Sequence, residues 1–401
     1  MQPTDWVRRV PWSLLAAAAL LVVLGWLGVA RVEQLGRQSG GAGATLLGRH
    51  VLHGVVALVV ATIVSAIDYR VWERHAYALF AGAIGLLLLV YAFPAINSAH
   101  RWIRLGPIGF QPSEAAKLAL ILGLARYLMD RENHRRFLGL LVPLGLSLVP
   151  VLLVLWEPDL GTAAVFLPVF AAMVFVAGAR RADLAKLALV GALMLPLVWQ
   201  GMSREQRSRV TGWLRQTRPA EHALDDNYQL RQAKRVAALG GLWGSAIAGE
   251  PIDDPAVYHL PEARHDFLFC IVREQFGLIG AAAVLGLFGW IVARGLRAAA
   301  ATRDPFARLV ATGFSALVAV EVVVNAGMTV GLVPVTGLPL PLLSYGGSGL
   351  LVHGAGLGLV ASIAMRPRGE LAAEPFRFLD QPAGASGRAA AATAVGRIAA
   401  R

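Results

Sequence analysis

Long apolar runs recur from one end of this chain to the other, and they constrain it more than any motif does. A helix needs roughly 17–25 largely apolar residues to cross a bilayer. Ten stretches meet or approach that length: about 11–30, 49–67, 76–93, 115–129, 137–155, 162–178, 184–200, 267–293, 308–332 and 345–365. The fourth is short and has Glu114 and Lys117 at its start. Only 15% of the residues are charged and 56% are apolar, where an average soluble protein has roughly 25% charged. The expected fold class is therefore all-α, a polytopic membrane protein with about ten transmembrane helices. The first run, PWSLLAAAALLVVLGWLGVA, has no small-residue cleavage site after it and reads as a permanent span, not a signal peptide. The one cysteine, Cys270, excludes an intramolecular disulfide and reads as a small buried hydrophobe.

The placement of charge orients these spans. Arginine concentrates in the connections DYRVWERH, DRENHRR, ARRADLAK and RGLRAAAATRDPFAR, and Arg8 and Arg9 precede the first span. The alternate connections WEPDLG and VPVTGLPLPLLS contain no Lys or Arg. Lys/Arg-rich loops stay in the cytoplasm, so both termini are expected there. The long connection at about 201–266, between spans seven and eight, then falls outside. Within it, NYQLRQAKRVAAL puts Leu230, Ala233, Val236 and Ala237 on one helical face, the pattern of a helix lying at the membrane surface. Residues 1–368 read as one transmembrane domain. The Ala/Gly-rich stretch 369–401 reads as a disordered cytoplasmic tail.

Polar residues near the spans gather on the outside face, in four segments. In HRWIRLGPIGFQPSEAAKLAL, Pro112 suits the first turn of a helix and Gln111 its cap. Glu114 and Lys117 share a helix face, as a plain ion pair or, with Arg101 and Arg104, as part of an anion site for a phosphate or diphosphate. In WEPDLGT, Pro158 ends one span. Asp159 can cap the next by accepting from a backbone N–H near Thr162. It can also act as a general base whose proton affinity is raised by a half-dry membrane edge. Glu157 is expected to face water. In LPEARHDFLFCIVREQFGLIGA, Asp266 sits at a span entrance and Glu274 lies deeper, as a functional group or a structural ion pair. In VPVTGLPLPLLSYGGSGLL three prolines preclude a regular helix, Gly346 and Gly347 admit close approach of a ligand, and Thr336, Ser344, Tyr345 and Ser348 supply hydroxyls. No His or Cys cluster has zinc spacing, and no Walker or dinucleotide fingerprint occurs. The basic residues sit in membrane loops, which leaves nucleic-acid binding without support.

Taken together, these segments resemble the SEDS family, the RodA and FtsW polytopic peptidoglycan polymerases. RWIRLGPIGFQPSEAAKLA, EPDLGTA, DFLFCIVREQFGLIGA and MTVGLVPVTGLPLPLLSYGGSGLL each resemble a family motif, and the resemblance spans about residues 10–366. The chain departs from the family pattern at Arg264-His265, at Arg273 and at Gln275. The glycines usual after GGLWG are also missing.

The resemblance implies a glycosyltransferase of the bacterial inner membrane that polymerises lipid II. It implies Asp159 as the base, with Glu114 and Lys117 orienting the site and Arg101 clamping an anion. Ser113 and Thr162 fall inside the matched motifs and join Arg104, Gln111, Asp266, Glu274, Thr336, Ser344, Tyr345, Gly346, Gly347 and Ser348 as expected substrate contacts. It further implies a divalent cation, Mg²⁺ or Mn²⁺, at a departing undecaprenyl pyrophosphate, with ligands unassigned. The partner implied is a class B penicillin-binding protein transpeptidase. The short N-terminal segment favours RodA-like elongation over FtsW-like septal synthesis. A lipid II flippase or a non-catalytic scaffold are the competing readings, and clustering of polar groups at one face argues for the polymerase over a midplane carrier.

Overall fold

The computed structural model describes residues 10–38, 46–95, 99–106, 108–131, 137–216, 228–252 and 254–366. Arg8, Arg9 and the expected tail at 369–401 lie outside them. Each of the ten apolar stretches contains a helix: α1 (Trp12–Gln38), α2 (Leu46–Ala66), α3 (Tyr69–Leu89), α4 (Pro112–Met129), α5 (Leu141–Trp156), α6 (Leu160–Val176) and α7 (Arg181–Gly201), then, after the long connection, three more. That connection holds α8 (Arg204–Leu214), α9 (Tyr228–Leu239) and the single turn Ser245–Ala248. The chain then runs through α10 (Leu268–Ala301), α11 (Pro305–Val330) and α12 (Gly347–Met365). Among the described residues, eight helices are long and apolar enough to cross a membrane. α6 is shorter, at 17 residues, and α4 carries Glu114, Lys117 and Arg126 within its 18 residues. A two-stranded hairpin, β1 (Ile103–Leu105) and β2 (Ile108–Phe110), leads into α4, with Arg104 opposite Gly109.

Local chemistry sets the boundaries. Asp68 caps α3 by accepting from the Arg70 N–H, and Asp304 caps α11 by accepting from Phe306 and Ala307, with Pro305 in the first turn. Gly331 ends α11 in the left-handed conformation at φ 83°, which costs a glycine nothing. Ser203 and Gln206 form a reciprocal capping box at the start of α8.

The helices pack where side chains are small. Ala57 and Ala61 of α2 are both 1% exposed and face Gly354 and Gly358 of α12. A Cβ on either glycine would run into the Ala57 or Ala61 carbonyl. With no hydrophobic drive between helices in lipid, such small-residue stripes let dispersion and close backbone contact supply the attraction. α7 is the opposite case. Of its side chains only Asp183 is buried, and Leu189, Leu193, Leu195 and Leu197 all point outward.

Two features differ from the sequence expectation. The apolar face of α9 does not lie open to a membrane surface: Leu230, Ala233, Val236 and Ala237 are 0–3% exposed, packed on α10 and α11. The stripe was legible, but an amphipathic helix presents the same pattern whether protein or lipid covers it. Second, α10 breaks at Gly277 (φ 68°, ψ −166°). The N–H groups of Leu278 and Ile279 are taken up by the Gly241 and Leu242 carbonyls of the long connection, at 3.0 and 3.4 Å.

The α2–α12 contact yields a prediction. Gly354→Val should lower stability by at least about 1–3 kcal/mol, the usual cost of overpacking. Gly85→Val, at a position with open space around it, should change it little. Thermal unfolding of both variants in one detergent checks the difference.

Candidate functional site

The starts of α4, α6 and α12, the end of α5 and the turn before α10 meet at one end of the bundle. Asp159 is the N-cap of α6. Its Oδ1 accepts from the Thr162 N–H at 3.1 Å and its Oδ2 accepts from the Thr162 hydroxyl at 3.0 Å. Gln111 Nε2 approaches the same Oδ2 at 3.5 Å, so the cap of α4 reaches the cap of α6. The Gln111 N–H donates to Ser348 Oγ at 3.0 Å, which ties in the first turn of α12. Arg101 donates from Nε to the Glu157 carbonyl at 2.8 Å and from Nη2 to the Pro158 carbonyl. Its guanidinium thus holds the α5–α6 turn, which leaves Nη1 for any anion. Arg104 is exposed on the hairpin.

Glu157 corrects an expectation. It is fully buried at 0% exposure, and neither carboxylate oxygen has a hydrogen-bond partner among the described residues. Burial first, and then the Asp159 charge, push its carboxyl up to about 8, against a smaller opposing pull from Arg101. A group with that proton affinity is neutral at pH 7. The sequence suggested water because a Glu beside a proline in a short loop usually finds it; here the α5–α6 turn folds inward.

Asp266 lies just before α10 and is half-buried. Its carboxyl is raised to about 7, by burial first and then by Glu262, with Arg209 and Arg101 opposing and Asp159 adding to the rise. Oδ2 of Asp266 and Nη1 of Arg209 lie 3.4 and 3.6 Å from where a Cβ on Gly337 would sit, so the absence of a side chain there keeps both groups accessible to each other. Asn325 of α11 fixes this region by donating to the Asp266 and Leu338 carbonyls at 2.8 and 2.6 Å.

Below this mouth, Lys117 pairs with Glu114 at 2.9 Å and with Glu321 of α11. Glu321 also meets Nε2 of His353 from α12 at 2.6 Å. All four side chains are 4% exposed or less. His353 Nδ1 lies 2.7 Å from the Gly349 carbonyl. A carbonyl only accepts, so Nδ1 carries a hydrogen, and the Nε2–Glu321 contact must then hold one further proton. Wherever that proton rests, Glu321 and His353 together are neutral, and Lys117 balances Glu114. The network therefore has no net charge to desolvate.

The remaining expected contacts divide. Ser344 is 4% exposed and its hydroxyl accepts from the Leu340 N–H, so it braces a turn. Glu274 is fully buried and pairs with Arg31 of α1 at 3.0 Å, and Arg31 also reaches Glu250 at 2.7 Å. That structural pair lies with the long connection and not with the carboxylates. Ser113 is buried with a free hydroxyl. Thr336 is half-buried, and its hydroxyl points at the Met328 sulfur. Tyr345 is ringed by His50, His53 and His265, centroids 5.3–6.3 Å away, and Gly346 and Gly347 open α12 beside it. Burial pushes the His265 imidazole down.

The profile of the FtsW/RodA/SpoVE cell cycle proteins matches residues 11–369. The chain belongs to this family. It is 36% identical over 311 residues to the peptidoglycan glycosyltransferase MrdB of Escherichia coli (strain K12), covering 77% of this chain and 82% of that one. It is 32% identical over 377 residues to a probable peptidoglycan glycosyltransferase FtsW of Geobacter sp. (strain M18), covering 90% and 100%. Among solved structures, a chain of a peptidoglycan synthase complex that coordinates polymerization and crosslinking superposes with a TM-score of 0.75 at 32% identity, over 90% of this chain and 99% of that one.

In this FtsW/RodA/SpoVE member, sequence reasoning passed over Glu321, Asn325 and His353. The signal was present: a single Glu in SALVAVEVVVNAGM, with Asn325 one turn on, is an ionisable residue in an apolar span and hence a functional candidate by default. Nothing in the sequence announces Arg209, one of several arginines in a charged connection.

Two predictions close this site. Between about pH 4.5 and 8 the native state binds a proton at Glu157 that the unfolded chain has released, so this residue makes stability fall as pH rises through that window. Glu157→Gln should therefore unfold at a higher temperature than wild type at pH 9 and at the same temperature near pH 4.5. A thermal series across pH reads this, and parallel curves would contradict it. Separately, Lys117→Ala and Glu321→Ala should each cost on the order of 3–5 kcal/mol by stranding buried partners. Their double variant should cost clearly less than the sum, as a double-mutant cycle measures.

Proposed function

We propose that this chain polymerises peptidoglycan glycan strands from lipid II at the outer face of the bacterial cytoplasmic membrane. The relatives named as peptidoglycan glycosyltransferases support the reaction class. The observation that carries the reading is the pairing of a fixed carboxylate with a proton-accepting one. Both oxygens of Asp159 already accept hydrogen bonds from Thr162, so its carboxylate is committed to capping α6. The carboxylate of Asp266 has no hydrogen bond among the described residues, and its proton affinity matches neutral pH. In the proposed step, the 4-hydroxyl of the incoming sugar attacks the anomeric carbon of the lipid-linked glycan. The C1–O bond to phosphate breaks, undecaprenyl pyrophosphate leaves with the electron pair, and the hydroxyl proton passes to Asp266. Asp159 orients the sugar and holds α6 and Gln111 in register. Arg209 is the cation beside the reacting groups.

Both termini then lie in the cytoplasm, with the long connection outside. Ten crossings belong to the same proposal, with α4 and α6 added to the eight helices long and apolar enough to span. A class B penicillin-binding protein is the partner in this reading, in keeping with the synthase complex that the fold matches. The divalent cation implied by resemblance finds no ready ligand set: among the described residues no three His, Cys, Asp or Glu gather to hold a metal. No step here runs through one. RodA-like elongation is the preferred role, on the Arg-Val-Pro-Trp entry to the first span, and septal or sidewall localisation separates it from FtsW-like division.

Polymerisation of lipid II in proteoliposomes with the co-purified partner tests the chemistry. Asp266→Asn should cut turnover by about 10²–10⁴-fold, the usual worth of a general base, while lipid II binding survives. Asp159→Asn should lose less. The reverse ranking would return the base to Asp159, and full turnover in both variants would remove the proposal.

A further inference from the structure

We propose that a groove at the opposite end of the bundle, between the start of α1 and the ends of α10 and α12, binds the phosphate headgroup of an anionic membrane lipid. The groove has a volume of about 180 Å³, and its lining includes Leu14, Arg294, Arg297, Ala298, Val360 and Ala364. Two guanidiniums stand in an otherwise apolar wall, and no acidic side chain lines it. Arg294 and Arg297 are three residues apart on α10, so they share one helix face. Arg294 has no ion pair or hydrogen bond among the described residues, and the contact recorded for Arg297 is with the Trp290 ring, 5.9 Å away. Alanines at 298 and 364 leave the space that larger residues would fill.

The setting selects the ligand. Arg294 lies seven residues before the end of α10, about 10 Å along the helix, where hydrocarbon gives way to headgroups. An arginine there satisfies its charge at a phosphate while its stem stays in the apolar layer. Basic pockets between transmembrane helices on the cytoplasmic side are a recognised form of lipid-headgroup site. Leu14 and Val360 continue the wall in apolar material, which suits the first carbons of an acyl chain and offers a free anion nothing. The cytoplasmic leaflet is assigned from the membrane orientation proposed above. The groove and its two cations do not depend on that orientation or on the polymerase reading.

Native mass spectrometry of the detergent-purified full chain, mixed with equal phosphatidylglycerol and phosphatidylcholine of the same acyl chains, tests the site. One phosphatidylglycerol should be retained per chain, preferred roughly tenfold or more, on the scale of two arginines at a lipid surface. Arg294→Gln with Arg297→Gln should lose the preference. Ala364→Leu, which keeps both charges and fills the groove, should lose it too. Arg303→Gln, an exposed arginine on the same face, should keep it. Equal retention of the two lipids by the wild type would overturn the proposal. So would unchanged retention in both groove variants, or displacement of the lipid by millimolar inorganic phosphate, which would mark a free-anion site.

Discussion

An ammonium group surrounded by apolar helices must be neutralised in place, and three helices of this bundle are arranged around that requirement. Lys117 on α4 takes Glu114 from its own helix and Glu321 from α11, and Glu321 takes His353 from α12. Removing any member leaves a buried charge or polar group without its partner, a larger loss than the net worth of any one bond. The network therefore fixes the mutual depth of α4, α11 and α12. These helices carry Gln111, Asn325 and Ser348 to the mouth of the site, so the geometry around Asp159 and Asp266 is set from below.

Above the network the order comes from shared caps. Asp159 closes α6, Gln111 leads into α4, and Ser348 accepts from Gln111 while belonging to α12. Arg101 crosses from the hairpin segment to the carbonyls at the end of α5. A helix terminus leaves backbone groups unpaired, and at a membrane edge water supplies only part of what they need. Here the termini satisfy one another. The same arrangement leaves Glu157 enclosed two residues from Asp159, and burial raises its proton affinity.

Much of this was readable in the chain and some was not, for separable reasons. The spans follow from hydropathy, because lipid leaves a backbone few choices. The Glu114–Lys117 pair and the Asp159 cap are local, set by spacing three on a helix and by a proline before it. The amphipathic face of α9 was also visible, but what covers it was not, since Leu230 and Val236 look alike under protein and under lipid. Contacts between distant segments are the class that a single sequence hides. Arg31 meets Glu274 across 243 positions, and Lys117 meets Glu321 across 204. Each partner is one charged residue among several, and only the fold says which two converge. Asp266 illustrates the limit for chemistry: its motif was noticed, but its proton affinity depends on burial and on Arg209.

The break in α10 has a consequence for biogenesis. At Gly277 the ladder of the helix stops, and the N–H groups just beyond it are served by carbonyls at 241 and 242, on a segment that emerges earlier from the ribosome. The part of α10 from Leu278 onward is long enough to insert alone. Its first turn, however, reaches its final bonding only after the preceding connection has folded back onto it. Folding of that connection and completion of α10 are thus one event. A chain delayed between them would hold the N–H groups of Leu278 and Ile279 without those acceptors.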